Sequence, residues 1–232
     1  MTARFATFAC YVALGFGTTV RAQSPIVTFD FATAVGNEAT FNATAKDTNI
    51  SNTPQISRAN LTITAQQSGS EFSASGFTTS GTIVTSQYFS FTITPASGYD
   101  VNVSSIDVRT ATQFFGPSTI ELRSSAGTTP FSTTLATYST NNTNPQNAQF
   151  NGFSVSGLNG TPLEFRIYGY GAGFAGSAFG FVSNMTAGAP GIVVNGTVTP
   201  VPEAETYVFA SLGAGLVGCS YLRKRRTALA MA

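Results

Sequence analysis

Apolar and polar residues alternate most cleanly over residues 88–94. Phe89, Phe91 and Ile93 fall on one side of an extended chain, and Ser90, Thr92 and Thr94 fall on the other. A period of two is the mark of a half-buried β-strand. Pro95-Ala-Ser-Gly98 follows as a turn. Residues 101–109 form the next strand, with Val101, Val103 and Ile106 inward and an irregularity predicted at Ser104-Ser105. Residues 118–124 place Ile120 and Leu122 inward and Glu121 and Arg123 outward. Residues 163–170 set Leu163, Phe165 and Ile167 against Glu164, Arg166 and Tyr168. Residues 191–199 close the series and residues 26–31 open it. No long stretch shows the 3.6-residue period of an amphipathic helix.

Short alternating strands, with turn signals recurring at roughly 8–12 residues, predict an all-β fold of the sandwich or barrel type. Alternation also favours antiparallel sheets with one wet face over a parallel α/β sheet. The expectation is an antiparallel β-sandwich over residues 23–199, with its first and last strands paired near each other. The strand signal is weakest over Asn/Thr-rich residues 35–55 and over residues 138–149, where 139–147 should be a long exposed loop; Gly/Ala/Phe-rich residues 169–180 read as a mobile loop or the bulged rim of a strand.

The two ends of the chain have a different character. Residues 1–22 carry a cation at Arg4, an apolar run from Phe5 to Phe16 and small residues flanking Arg21, the layout of a secretory signal with cleavage after Ala22. Near the other end, an uncharged apolar segment at 207–222 is followed by Arg223, Lys224, Arg225 and Arg226. At about 1.5 Å per residue the segment falls slightly short of a bilayer core of about 30 Å. Tyr207 and Tyr221 sit where aromatic rings favour the interface, and the basic cluster belongs on the cytoplasmic side. A signal helix and a single transmembrane helix are therefore expected to flank the sandwich.

Residues 200–228 resemble the PEP-CTERM sorting domain of exported bacterial proteins. The likeness is carried by Pro202, Glu203 and Ala204, by the Gly-rich apolar segment and by Arg223 to Arg226. Ala204 stands where the family has a second proline. The resemblance implies Sec export, transient anchoring in the membrane through the tail, and tail removal by an exosortase. It also implies an association with exopolysaccharide-producing, biofilm-forming cells. Permanent anchoring is the outcome if Ala204 blocks cleavage.

Composition narrows the chemistry. Both cysteines, Cys10 and Cys219, lie in the terminal segments, and the chain has no histidine and no tryptophan. Residues 23–200 thus hold no disulfide, no thiol nucleophile and no imidazole base or metal ligand. Five cations (Lys46, Arg58, Arg109, Arg123, Arg166) face eight acids there, a net charge of −3, so no basic nucleic-acid footprint exists. Asn-X-Ser/Thr sequons, as at Asn42, Asn60, Asn102, Asn159, Asn184 and Asn195, read as products of an Asn/Thr-rich composition, with N-glycosylation the alternative.

The central region also resembles the jelly-roll β-sandwich modules found ahead of such tails, through residues 88–93, 118–125 and 164–171. Its best candidate site is the outward face of the strand at 163–170. There Tyr168 and Tyr170 would stack on sugar rings while Glu164 and Arg166 bind hydroxyls. The alternative is a polar ladder with a salt bridge. Asp100, Asp107 and Glu121 are scattered acids that establish no glycosidase pair, and no EF-hand spacing appears. Gly169, Gly171 and Gly173 precede no helix and so form no phosphate loop. Phe114-Phe115 reads as a core or strand-edge pair, with an exposed patch as the alternative. No catalytic residues, cofactor or metal are expected. The partners are the Sec machinery, an exosortase, the membrane and extracellular polysaccharide. The function read from the sequence is an exported structural or weakly glycan-binding module; a lectin or carbohydrate-active enzyme is the alternative.

Overall fold

The computed structural model describes residues 24–64, 70–140, 145–183 and 189–201. The signal segment with Ala22, the sorting motif at 202–204, the apolar segment, Arg223 to Arg226 and Asn184 lie outside the described residues. Among the described residues no helix is long and apolar enough to cross a membrane.

The strands in chain order are β1 (Ser24–Phe29), β2 (Thr40–Asn42), β3 (Ala45–Lys46), β4 (Gln55–Ala59), β5 (Thr62–Ile63), β6 (Glu71–Ser75), β7 (Tyr88–Ile93) and β8 (Tyr99–Thr112). They continue as β9 (Thr119–Ser124), β10 (Thr134–Ser139), β11 (Gln146–Phe150), β12 (Val155–Gly157), β13 (Leu163–Tyr170), β14 (Phe179–Val182) and β15 (Ile192–Pro200). A single 3-10 turn, Phe31–Thr33, is capped by the Asp30 carboxylate accepting from the Ala32 N–H. The fold is all-β, as the alternation predicts.

Every pairing is antiparallel, and the described strands form two sheets. The smaller has six strands in the order β10-β9-β13-β7-β4-β2. The larger has nine, along β3-β1-β15-β8-β14-β6-β5 with β11 and β12 also on β8. The 14-residue β8 is the axis of the larger sheet. Val108 pairs with Ile192 and with Ala148, and Val103 pairs with Gly196 and with Val155. β15 and β14 therefore run end to end along one edge of β8, and β11 and β12 along the other. β1 pairs with β15, Ser24 opposite Gly196, so the described chain enters and leaves at one end.

The sheets face each other across a layer of phenylalanine rings. Phe89 of the smaller sheet lies 5.1–6.2 Å from the rings of Phe72, Phe77, Phe179 and Phe181. Phe29 on β1 meets Phe91 at 5.5 Å, and Phe91 stacks on Phe165 at 5.4 Å. Residues on one face of β7 and β13 reach this layer because alternation sends every second side chain inward.

Long β8 must stay on the core over its whole length, and its side chains change phase once. Val101 and Val103 are buried, then Ile106 and Val108. Asn195 pairs with Ser105 and Gly196 with Val103, leaving Ser104 as the extra residue of a bulge. This is the irregularity expected at Ser104-Ser105. Gly196 faces the bulge so closely that a Cβ there would overlap the Asn102 carbonyl.

The boundaries of β7, β8, β9, β13, β15 and β1 fall within a few residues of the expected ones. Within the weakly signalled residues 35–55, residues 40–42 and 45–46 are strands. The exposed-loop reading of 139–147 needs correction at both ends, where β10 takes residue 139 and β11 takes residues 146 and 147. Residues 169–170 and 179–180 belong to β13 and β14, leaving only 171–178 as a connection.

A polar clamp closes one corner. Arg58 lies over the Phe72 ring at 3.5 Å and donates through Nε to the Ser73 carbonyl at 2.8 Å. Burial pushes its guanidinium down to about 10, against the pull of Glu38 and Glu71. Burial also works to raise the Glu38 carboxyl. Donation from the N–H groups of Val35 (2.6 Å) and Gly36 (2.9 Å), with Arg58 nearby, nevertheless holds it below its ordinary value.

Two predictions follow from this packing. Phe89→Ala removes a ring that four others touch and should cost about 4 kcal/mol in urea unfolding; a loss below about 1 kcal/mol would contradict the ring layer. Because the folded Glu38 carboxyl titrates below its unfolded value, its contribution is present above the unfolded pKa and fades as pH falls through the folded one. Glu38→Gln should therefore lower stability at neutral pH, and the gap to wild type should narrow on acidification, as read by denaturant midpoints across that range.

Candidate functional site

The outer face of the smaller sheet holds the residues expected to form a sugar platform. Glu164, Arg166 and Tyr168 do share that face, where β13 lies between β7 and β9. The Arg166 Nε donates to the Glu164 carboxylate at 2.7 Å, and the Arg123 Nε to Glu121 at 2.6 Å. Thr134 donates to the same Glu121 oxygen at 2.7 Å. The Arg166 guanidinium lies over the Phe131 ring at 3.6 Å and the Tyr88 ring at 4.2 Å. Tyr88 packs edge-on against Tyr168 at 5.5 Å, and Arg123 lies 5.8 Å from the Tyr168 ring.

This geometry corrects the platform reading. Tyr168 is only 1% exposed, although it sits on the outward side of its strand. Tyr88 from β7 and Arg123 from β9 lie against it, so its ring is not free to stack on a ligand. Burial raises its phenol pKa against the pull of Arg166. Burial likewise works to lower Arg166, but its contacts to Glu164 and Tyr168 win and raise it. Tyr170 is partly exposed at the end of the row and has no ring partner for a platform among the described residues. The arrangement is the polar ladder with a salt bridge, with guanidinium–ring contacts added.

The scattered acids stay apart. Asp100 accepts from the Asn159 N–H at 2.8 Å at the end where the termini lie. Glu121 is held on the smaller sheet, and Asp107 lies on the outer face of the larger one. Among the described residues no group of three or more His, Cys, Asp or Glu is placed to hold a metal.

Asp107 nevertheless anchors a groove on the outer face of the larger sheet. Its floor is β8, β11 and β15, side by side. Alternation puts Asp107 and Arg109 outward on β8, Asn147 and Gln149 outward on β11, and Asn195 outward on β15. The Gln149 Nε2 donates to Asp107 Oδ1 at 2.6 Å, and the Asn195 Nδ2 to Asp107 Oδ2 at 2.7 Å. The Arg109 Nη1 donates to the Asn147 Oδ1 at 3.2 Å. The Arg109 Nε is buried and makes no hydrogen bond among the described residues. Ala189, Pro190 and Val193 supply an apolar flank to a depression of about 470 Å³.

Chemically the groove is a row of fixed amides, one carboxylate and one guanidinium beside apolar carbon. Such a set can donate to and accept from neighbouring hydroxyls of one ligand, while the apolar flank covers its C–H groups. Sequence reasoning missed Asn147, Gln149 and Arg109 as site residues. The signal existed as the alternation of Asn147, Gln149 and Asn151, but it is polar on its outward side and only Phe150 marks it as a strand. Phe114 and Phe115 also differ from the core reading. They are exposed, with rings 4.4 Å apart and near perpendicular, at the end of the sandwich opposite the termini. No protein-family model matches the chain, and no curated protein is significantly similar to it.

If the β13 face is structural, Arg166→Ala should destabilise the fold by about 1–2 kcal/mol through lost ring and carboxylate contacts. Tyr168→Ala should cost about 3 kcal/mol, as a buried ring does. Urea unfolding of both variants checks this. Losses near zero for both would restore a free ligand surface.

Proposed function

We propose that the chain is an exported, non-catalytic β-sandwich module of jelly-roll type, delivered by an N-terminal signal and a C-terminal sorting tail, that holds a hydroxyl-rich polymer. The observation that carries the ligand reading is the groove at Asp107, Arg109, Asn147 and Gln149. Its amides are oriented before any ligand arrives, Gln149 by the Asp107 carboxylate and Asn147 by the Arg109 guanidinium, which lowers the ordering cost of binding. An extracellular polysaccharide offers the matching chemistry, a repeating array of hydroxyls with C–H faces between them. The sorting reading rests on Pro202, Glu203 and Ala204, the apolar segment and Arg223 to Arg226. It is supported by the pairing of β1 with β15, which brings residue 24 and residue 201 to the same end. A signal and a tail attached there would both lead to one membrane, leaving the groove free on the side of the sandwich.

Intact mass spectrometry of protein from the host envelope and medium tests the sorting. A species beginning near Gln23 and ending near Glu203 is expected. A mature species that keeps Arg223 to Arg226 would mean permanent anchoring and would refute processing. For the groove, Asn147→Ala with Gln149→Ala should weaken retention on the host polysaccharide by about tenfold, equivalent to about 1.4 kcal/mol. Both side chains are exposed, so the fold should stand. Unchanged retention by a folded double variant would remove the groove from the reading.

A further inference from the structure

Among the connections at the end of the sandwich opposite the termini are residues 76–87 between β6 and β7, 113–118 between β8 and β9, and 171–178 between β13 and β14. None of these three contains a charged residue. Phe114, Phe115 and Phe174 project from them at 68%, 55% and 63% exposure. The connections are bonded to one another. The Gly171 N–H donates to the Ser80 carbonyl at 2.8 Å, Ala172 to Thr78 at 3.0 Å, and Phe174 to Phe115 at 3.1 Å. Side chains tie the same segments: the Ser177 hydroxyl donates to the Phe114 carbonyl at 2.9 Å, and the Gln113 amide oxygen accepts from the Ala178 N–H at 3.0 Å.

We infer that this aromatic end is a lipid-inserting tip, whose occupant is the interfacial layer of an uncharged or zwitterionic bilayer. Three properties select that occupant. A ring entering the acyl boundary is favourable only if no charge is dragged with it, and the three connections carry none. Backbone groups taken out of water need internal partners, and the hydrogen bonds above supply them for the Phe114 and Phe115 carbonyls and the Phe174 N–H. The exposed ring area is about 370 Å², from about 200 Å² for a whole ring. That is about half of what each partner of a stable protein interface buries, at about 800 Å², but enough to hold a protein on a bilayer. A sugar is the weaker fit. Phe114 and Phe115 stand at 70° to each other, with no coplanar floor and no charged residue in their own connection or the two bonded to it. Without charge, attachment should be insensitive to salt and should not require anionic lipid.

The absence of tryptophan from the chain makes the test site-specific. Phe114→Trp and Phe174→Trp, introduced singly in the full chain, each report from the tip alone. Leu158→Trp, exposed on the connection after β12 at the terminal end, is the control. Each is mixed with phosphatidylcholine vesicles whose acyl chains carry bromine, a contact quencher. The expected result is a blue shift and at least twofold quenching at positions 114 and 174, unchanged by salt, with far less at 158. Binding to vesicles through the apolar segment at 207–222 alone leaves the tip reporters unquenched and would overturn the proposal. Equal quenching at all three positions would also overturn it, as would dependence on anionic lipid. A lipid-free emission shift would overturn it too: with added polysaccharide it would assign the tip to a glycan, and with rising protein concentration to a second copy. The groove plays no part in this readout.

Discussion

The contact of Phe89 with four rings, three from the opposite sheet and Phe77 from the connection after β6, is the interaction on which the rest depends. The sandwich has no cysteine to cross-link it and no tryptophan to fill its centre. Cohesion between two sheets therefore falls to burial of apolar area, and phenylalanine offers the most area per residue of the types present. Rings from β6, β7 and β14 interdigitate at one end of the core, and those of β1, β7 and β13 at the other. The strands between must then run true over a long distance. β8 does so only by inserting Ser104, and it can insert Ser104 only because Gly196 opposite has no side chain.

Once the inner faces are committed to the core, the two outer faces meet different fates. On the smaller sheet every charged group on β9 and β13 has found a partner, and the guanidinium of Arg166 covers aromatic carbon that would otherwise face water. That surface is electrically neutral and closed. On the larger sheet Asp107 gathers two amides and Arg109 holds a third, on a face that no other strand covers. Pre-oriented groups of this kind are where a ligand finds affinity at little entropic cost.

The legible parts of the sequence were the strands with one wet face. β7 reads straight from Phe89, Phe91 and Ile93, and the phase change in β8 is visible in the spacing of Val103 and Ile106. β6 and β14 are buried on both faces, so Glu71-Phe-Ser-Ala-Ser and Phe-Gly-Phe-Val carry no alternation to read. β11 fails for the opposite reason: its outward amides resemble the Asn-rich loop before it. Tyr168 shows the limit of periodicity for sites. The period of two places it outward correctly, but whether an outward ring is bare depends on what neighbouring strands lay over it. Strand partners more than forty residues away, such as Tyr88 and Glu121, are not visible in a local pattern.

The position of the chain ends has a mechanical consequence. Residues 24 and 201 sit at one end, and the aromatic connections sit at the other, about 45 Å away if the 14 residues of β8 rise at about 3.3 Å each. A force separating residue 24 from residue 201 would peel β1 from β15 one hydrogen bond at a time. A force between residue 201 and the far end runs parallel to β15 and β8, perpendicular to their shared hydrogen bonds, and must shear all of them together. The same ladder is thus a weak zipper in the first direction and a strong splint in the second.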